Sequence, residues 1–123
     1  MSARYHGIVW IDHRQANVFQ ISTTEESKIT INSHVSVQRL HHQNAAMNPH
    51  PVDTQFFGRI VAALNHTGGT LIAGPGEAKF ELNRYLKRHR PDLDAQVYGA
   101  DTPDPPGDAG LVALAREYFQ MAA

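Results

Sequence analysis

Cysteine is absent from these 123 residues, which excludes disulfides, thiolate nucleophiles and thiolate zinc sites. Neither sign of charge is in excess: 11 Lys and Arg against 12 Asp and Glu leave a formal net charge of -1. Contact with nucleic acid therefore has to come from a local patch, not from the chain as a whole. Aromatic residues make up only 8% of the chain. No apolar run approaches the roughly 18–20 residues that a membrane helix needs. The opening MSARYHGIVWID holds an apolar run of five residues before Asp12, too short for a signal peptide or a span, so a cytoplasmic protein with no membrane partner is expected. What is present is an ordinary globular composition, 41% apolar and 19% charged, in a length that suits a single domain, 1–123, with one core.

Residues 7–12 (GIVWID) are continuously apolar and short, the pattern of a central strand buried on both faces. Asp12, His13, Arg14 and Gln15 read as a hairpin turn into a second strand over 16–21 (ANVFQI), closed by the polar stretch 22–26. From 28 to 38 the alternation is nearly complete, with Ile29, Ile31, Ser33, Val35 and Val37 on one face and Lys28, Thr30, Asn32, His34, Ser36 and Gln38 on the other. That predicts a long antiparallel strand with one wet face, suited to a sheet edge where lysine discourages further strand addition.

Residues 40–51 (LHHQNAAMNPHP) have no period and carry two prolines, so a loop is expected there, with Asp53 capping a helix over about 53–66 that Gly68 stops. A strand at 70–73 passes through Gly74-Pro75-Gly76 into a second helix, whose inner face is Ala78, Leu82, Tyr85, Leu86 and His89 and which Pro91 ends. A short strand at 95–99 and the turn-rich loop 101–107 (DTPDPPG) lead to a third helix, capped by Asp108, with Leu111, Leu114, Ala115 and Tyr118 facing inward. Trp10, Phe19, Phe56, Phe57, Tyr85, Tyr98 and Phe119 are expected to pack in the core or between helices and sheet. The order βββ-α-β-α-β-α defines an α/β fold with a mixed five-stranded sheet.

The element order, the hairpin GIVWIDHRQANVF and the junction IAGPGEAKFELNRYL resemble the middle domain of archaeal and eukaryotic peptide chain release factors and of the Pelota rescue factor, and the small bacterial translational machinery proteins related to them. The opening pattern is carried by 8–12, Ala16 and Val18, and the turn by Gly74, Pro75, Gly76 and Lys79, followed by Phe80 and Leu82. The resemblance implies a ribonuclease H-like fold and a partner in RNA or the ribosome. The family's catalytic Gly-Gly-Gln tip lies between the third strand and first helix, where this chain has His41, His42, Gln43, Asn44, Ala45 and Ala46; its one Gly-Gly pair, Gly68-Gly69, is expected at a helix end. Gln43 without two glycines lacks the backbone freedom that peptidyl-tRNA hydrolysis demands, so no enzymatic activity is expected.

Candidate binding residues fall in three groups. Gly74, Gly76 and Lys79 sit where a strand enters a helix, a place suited to anions, although no dinucleotide fingerprint or Walker A sequence is present and a packing turn accounts for the same residues. Lys79, Arg84, Lys87, Arg88 and Arg90 place five of the eleven Lys and Arg within twelve residues, either to follow a phosphate backbone or to complement the helix dipole. His41, His42 and Gln43 in the long loop offer rings and an amide for RNA. The eight histidines lack metal-ligand spacing, and Asp12 is the one acid placed as a ribonuclease H-like two-metal nuclease would need, so neither a metal nor a cofactor is expected. Association with a second copy, through an apolar patch or the alternating strand, is the competing reading.

Overall fold

A computed structural model of the chain describes residues 5–33, 54–64, 67–99 and 107–120. β1 (Tyr5–Ile11) and β2 (Gln15–Ile21) form the expected hairpin, and β3 (Glu26–Asn32) pairs antiparallel to β2. Then come α1 (Thr54–Leu64), β4 (Thr67–Ala73), α2 (Ala78–His89), a single-turn α3 (Pro91–Asp94), β5 (Val97–Gly99) and α4 (Gly107–Tyr118). The sheet has five strands in the order β3-β2-β1-β4-β5, and β4 runs parallel to both β1 and β5. The mixed five-stranded α/β architecture is as the element order requires, with β1 at its centre.

Alternation along the strands sorts the core into two layers. Val9, Ile11, Ala16, Val18, Ile31 and Ile72 meet α1 through Phe56, Phe57, Ile60, Val61 and Leu64, and α2 through Ala78, Leu82 and Leu86. Ile8, Phe19, Ile21 and Leu71 face the other way, against Leu111, Val112 and Ala115 of α4. Each fully buried Ile or Leu contributes about 1.5–3 kcal/mol, so β1, apolar on both faces, is the strand the fold can least alter.

Several boundaries differ from the sequence pattern, each for a local reason. β3 starts at Glu26, not Lys28, because the Ser22 hydroxyl accepts from the Thr24 and Glu25 amides and tightens the turn, which brings Glu26 opposite Ile21. The strand ends at Asn32; 34–38 lie outside the described residues. Ile29, expected on the buried face, is 41% exposed, since the edge strand outruns the helix cover. Gly68 and Gly69 do not stop α1 but lie within β4, because the Thr67 hydroxyl itself donates to the Leu64 carbonyl 2.8 Å away. Gly69 leaves room for Phe119, whose Cε1 lies 2.6 Å from where a β-carbon would stand. The last strand is shortened to Val97–Gly99 by the unforeseen α3, and α4 begins at Gly107, which puts Asp108 inside the helix and 2.7 Å from Lys28 Nζ. Tyr98 and Tyr118, inward by the sequence pattern, are 43% and 49% exposed, their rings 5.6 Å apart at the sheet's β5 edge. His89, inward by the same pattern, is exposed and stacks on Tyr85 at 4.4 Å.

Candidate nucleic-acid interface

The residues singled out above separate into three places. His41, His42 and Gln43 lie outside the described residues, as do His34, His50, His66, Asp53, Asp101 and Asp104. Gly74 and Gly76 form the turn into α2. Arg84, Lys87 and Arg88 lie along that helix, with Lys79 on its flank.

At the turn, geometry accounts for the glycines by packing. Gly74 has φ 144, and a β-carbon there would stand 2.0 Å from the Ile11 carbonyl oxygen, so the chain passes against the end of β1 at a distance only glycine permits. Gly76, at φ 67, faces open space and serves the turn's backbone alone. The helix begins with Glu77 at the N-cap position and carries Glu81 in its first turn. These carboxylates answer the positive end of the dipole, and an incoming anion would meet them. Glu81 also lies 3.6 Å from His13 Nε2. Asp12, the residue a two-metal nuclease would need, spends its Oδ1 on the backbone amides of Arg14 and Gln15, at 2.7 and 2.8 Å. No group of three His or acidic residues able to hold a metal occurs among the described residues.

Along α2 the picture changes. Ala78, Leu82 and Leu86 are buried. At 3.6 residues per turn the opposite face holds Phe80, Arg84, Lys87 and Arg88, spaced i, i+4, i+7 and i+8, and all four are exposed. Phe80 is 51% exposed, and Lys79 Nζ reaches to 5.3 Å from its ring centroid. Among the described residues, no acid pairs with Arg84, Lys87 or Arg88. Arg90 differs: its guanidinium donates to both carboxylate oxygens of Asp92, at 3.0 and 2.9 Å. That hydrogen-bonded contact raises the Arg90 pKa and lowers that of Asp92. Arg90 therefore belongs to a local fork that opens α3 and stands apart from the outer stripe. Lys87, Arg88 and His89 occupy the last turn, where the dipole alone would favour them. Arg84 sits mid-helix, beyond the dipole's reach.

Phe80 is the residue the sequence reading passes over, where it serves only as a mark of resemblance. Its spacing from Arg84, Lys87 and Arg88 is visible in the chain; that it faces outward follows from the packing of Ala78, Leu82 and Leu86 beneath.

The fold defines a class, a mixed sheet with α1 and α2 on one face and α4 on the other, presenting a basic outer helix. Solved structures share it. No protein-family model matches the sequence, and no curated protein matches it. Pelota from Archaeoglobus fulgidus superposes with a TM-score of 0.64 at 17% identity over 92% of this chain. Pelota from Thermoplasma acidophilum gives 0.60 at 21% over 94%, and an archaeal translation termination factor gives 0.57 at 16% over 96%. This chain spans about a third of each of them, 31%, 33% and 35% respectively. The likeness is one of fold. Among the described residues, no helix is long and apolar enough to cross a membrane.

Proposed function

We propose that this domain is a non-catalytic, translation-associated module of the cytoplasm that binds RNA, on the ribosome in the first instance, through the outer face of α2. The observation that carries this reading is the row of Arg84, Lys87 and Arg88, exposed, free of acidic partners among the described residues, and continued by the exposed ring of Phe80. Cations repeating at one helical turn follow a phosphate backbone, and the ring offers a platform for an unpaired base. The names of the superposed structures, two Pelota proteins and an archaeal translation termination factor, support a place in translation. The absence of a Gly-Gly-Gln sequence supports a role without peptidyl-tRNA hydrolysis. Lys79 contributes at the stripe's start, and the proposal asks nothing of Gly74 and Gly76 beyond their turn.

The test is sedimentation with ribosomes from a lysate at low and high salt. Binding that falls steeply between about 50 and 200 mM salt is expected of phosphate contacts. A protein that stays in the supernatant at low salt, or pellets equally at both, contradicts the reading. Two variants refine it. Phe80→Ala is expected to weaken binding to an unpaired oligoribonucleotide about 5–10-fold while leaving a duplex unaffected, as the loss of one stacked base would. Arg90→Gln is expected to change affinity less than about 2-fold, because Arg90 is already committed to Asp92 and exposed pairs contribute little.

A further inference from the structure

Among the described residues no strand pairs with the outer edge of β3, and that edge has a geometry suited to a second copy of itself. Ser33 N donates to the Arg14 carbonyl and Ser22 N to the Glu25 carbonyl, so the bonded pairs between β2 and β3 are those of odd-numbered β3 residues. The amides and carbonyls of Glu26, Lys28, Thr30 and Asn32 therefore point away from the sheet. The Arg59 guanidinium marks the same direction by donating to the Asn32 carbonyl from outside, at 2.7 Å. Edge strands are commonly protected by free charges. Here the charges are drawn back: Lys28 is held by Asp108 at 2.7 Å and Glu26 by Arg116 at 3.5 Å, both on α4. On the opposite face of the strand Ile29 stands 41% exposed.

We propose that two copies of this chain pair antiparallel through β3, about a two-fold axis at Ile29. In that register Lys28 and Thr30 of one copy exchange amide and carbonyl bonds with Thr30 and Lys28 of the other. Ile29 meets its own counterpart in a non-hydrogen-bonded pair, where side chains come closest, and no like charges stand opposite one another. The axis is perpendicular to the sheet, so α1 and α2 of both copies fall on one side of a continuous sheet. Two Arg84-Lys87-Arg88 faces would then look the same way, roughly 30 Å apart from the strand spacing. The pairing stands whether or not those faces bind RNA. Its small area makes it a weak, concentration-dependent dimer.

The chain's lack of cysteine gives a direct test. In the full chain, Ile29→Cys would place its two α-carbons about 4.5 Å apart, within disulfide reach, whereas Thr30→Cys would hold them more than about 7 Å apart. Mild oxidation is expected to cross-link the first at least about ten-fold faster than the second. In parallel, light scattering should show the mass of the unmodified protein rising from 13.6 kDa toward twice that value as its concentration is raised to about 1 mM. Thr30→Pro, which removes an outward amide and the exposed hydroxyl bond to Asn17 Oδ1 but none of the backbone bonds to β2, should stay monomeric. A monomer throughout, equal cross-linking at the two positions, or a dimer that survives Thr30→Pro would overturn the proposal.

Discussion

Gly74→Ala is expected to lower stability by about 3–5 kcal/mol, a large share of the roughly 5–15 kcal/mol that holds a small domain together. Two effects add. The backbone at φ 144 is one that residues with a side chain rarely adopt, and the new methyl would overlap the Ile11 carbonyl oxygen at 2.0 Å. That oxygen cannot yield, because Ile11 is fully buried and its strand is the centre of the sheet. Gly76→Ala, two residues on, meets open space and only the strain of φ 67, so a loss of about 1–2 kcal/mol is expected. Urea melts of the two variants decide it. Equal losses, or a larger loss at Gly76, would mean that the turn is not held by its contact with β1.

Much of this architecture is legible in the chain. β1 shows itself by continuous apolar residues, the hairpin by Asp12 and the polar turn after it, and α2 by the spacing of Ala78, Leu82 and Leu86. The boundaries that shift do so where a side chain beyond the local pattern takes control. Thr67 caps α1 and frees Gly68 and Gly69 to enter β4; the Ser22 turn draws Glu26 into β3; Asp108 turns to Lys28 instead of capping α4. The Ser22 and Thr67 bonds are local, two or three residues apart, and belong to turn chemistry that periodicity does not encode; only the last, between Asp108 and Lys28, depends on which elements end up adjacent. Exposure at the sheet's margins is hidden for a similar reason. Ile29, Tyr98 and Tyr118 have core-like identities, and only the positions of β3 and β5 as edge strands leave them in solvent. The basic residues of α2 can be read directly as a cluster. Their division cannot: Arg90 leaves the stripe for Asp92, Lys79 turns toward the flank, and Phe80 joins, all of which require the helix to be seated on its sheet.

The second large effect concerns that stripe. Arg84→Glu together with Lys87→Glu replaces two cations by two anions on an exposed face whose removal from solvent is not required for folding. Stability should change by less than about 0.5 kcal/mol per site, apart from a small unfavourable term for the carboxylate introduced in the last turn, near the negative end of the helix. Binding should change far more. Each reversal removes a phosphate contact and adds a repulsion, so affinity for RNA at about 100 mM salt is expected to fall by at least about 100-fold, and the dependence of binding on salt to become shallower by about 1.4 in the double-logarithmic slope. If the module instead recognises a protein, with no nucleic acid involved, wild-type binding should be largely insensitive to salt and to RNase treatment.

The most direct measurement of the central claim is therefore ribosome co-sedimentation of the wild-type protein and of the Arg84→Glu, Lys87→Glu variant, side by side at low salt, with circular dichroism to verify that both are folded. Wild-type protein in the ribosomal pellet and folded variant in the supernatant is the result expected. A folded variant that pellets as well as the wild type would show that the outer face of α2 is not the binding surface.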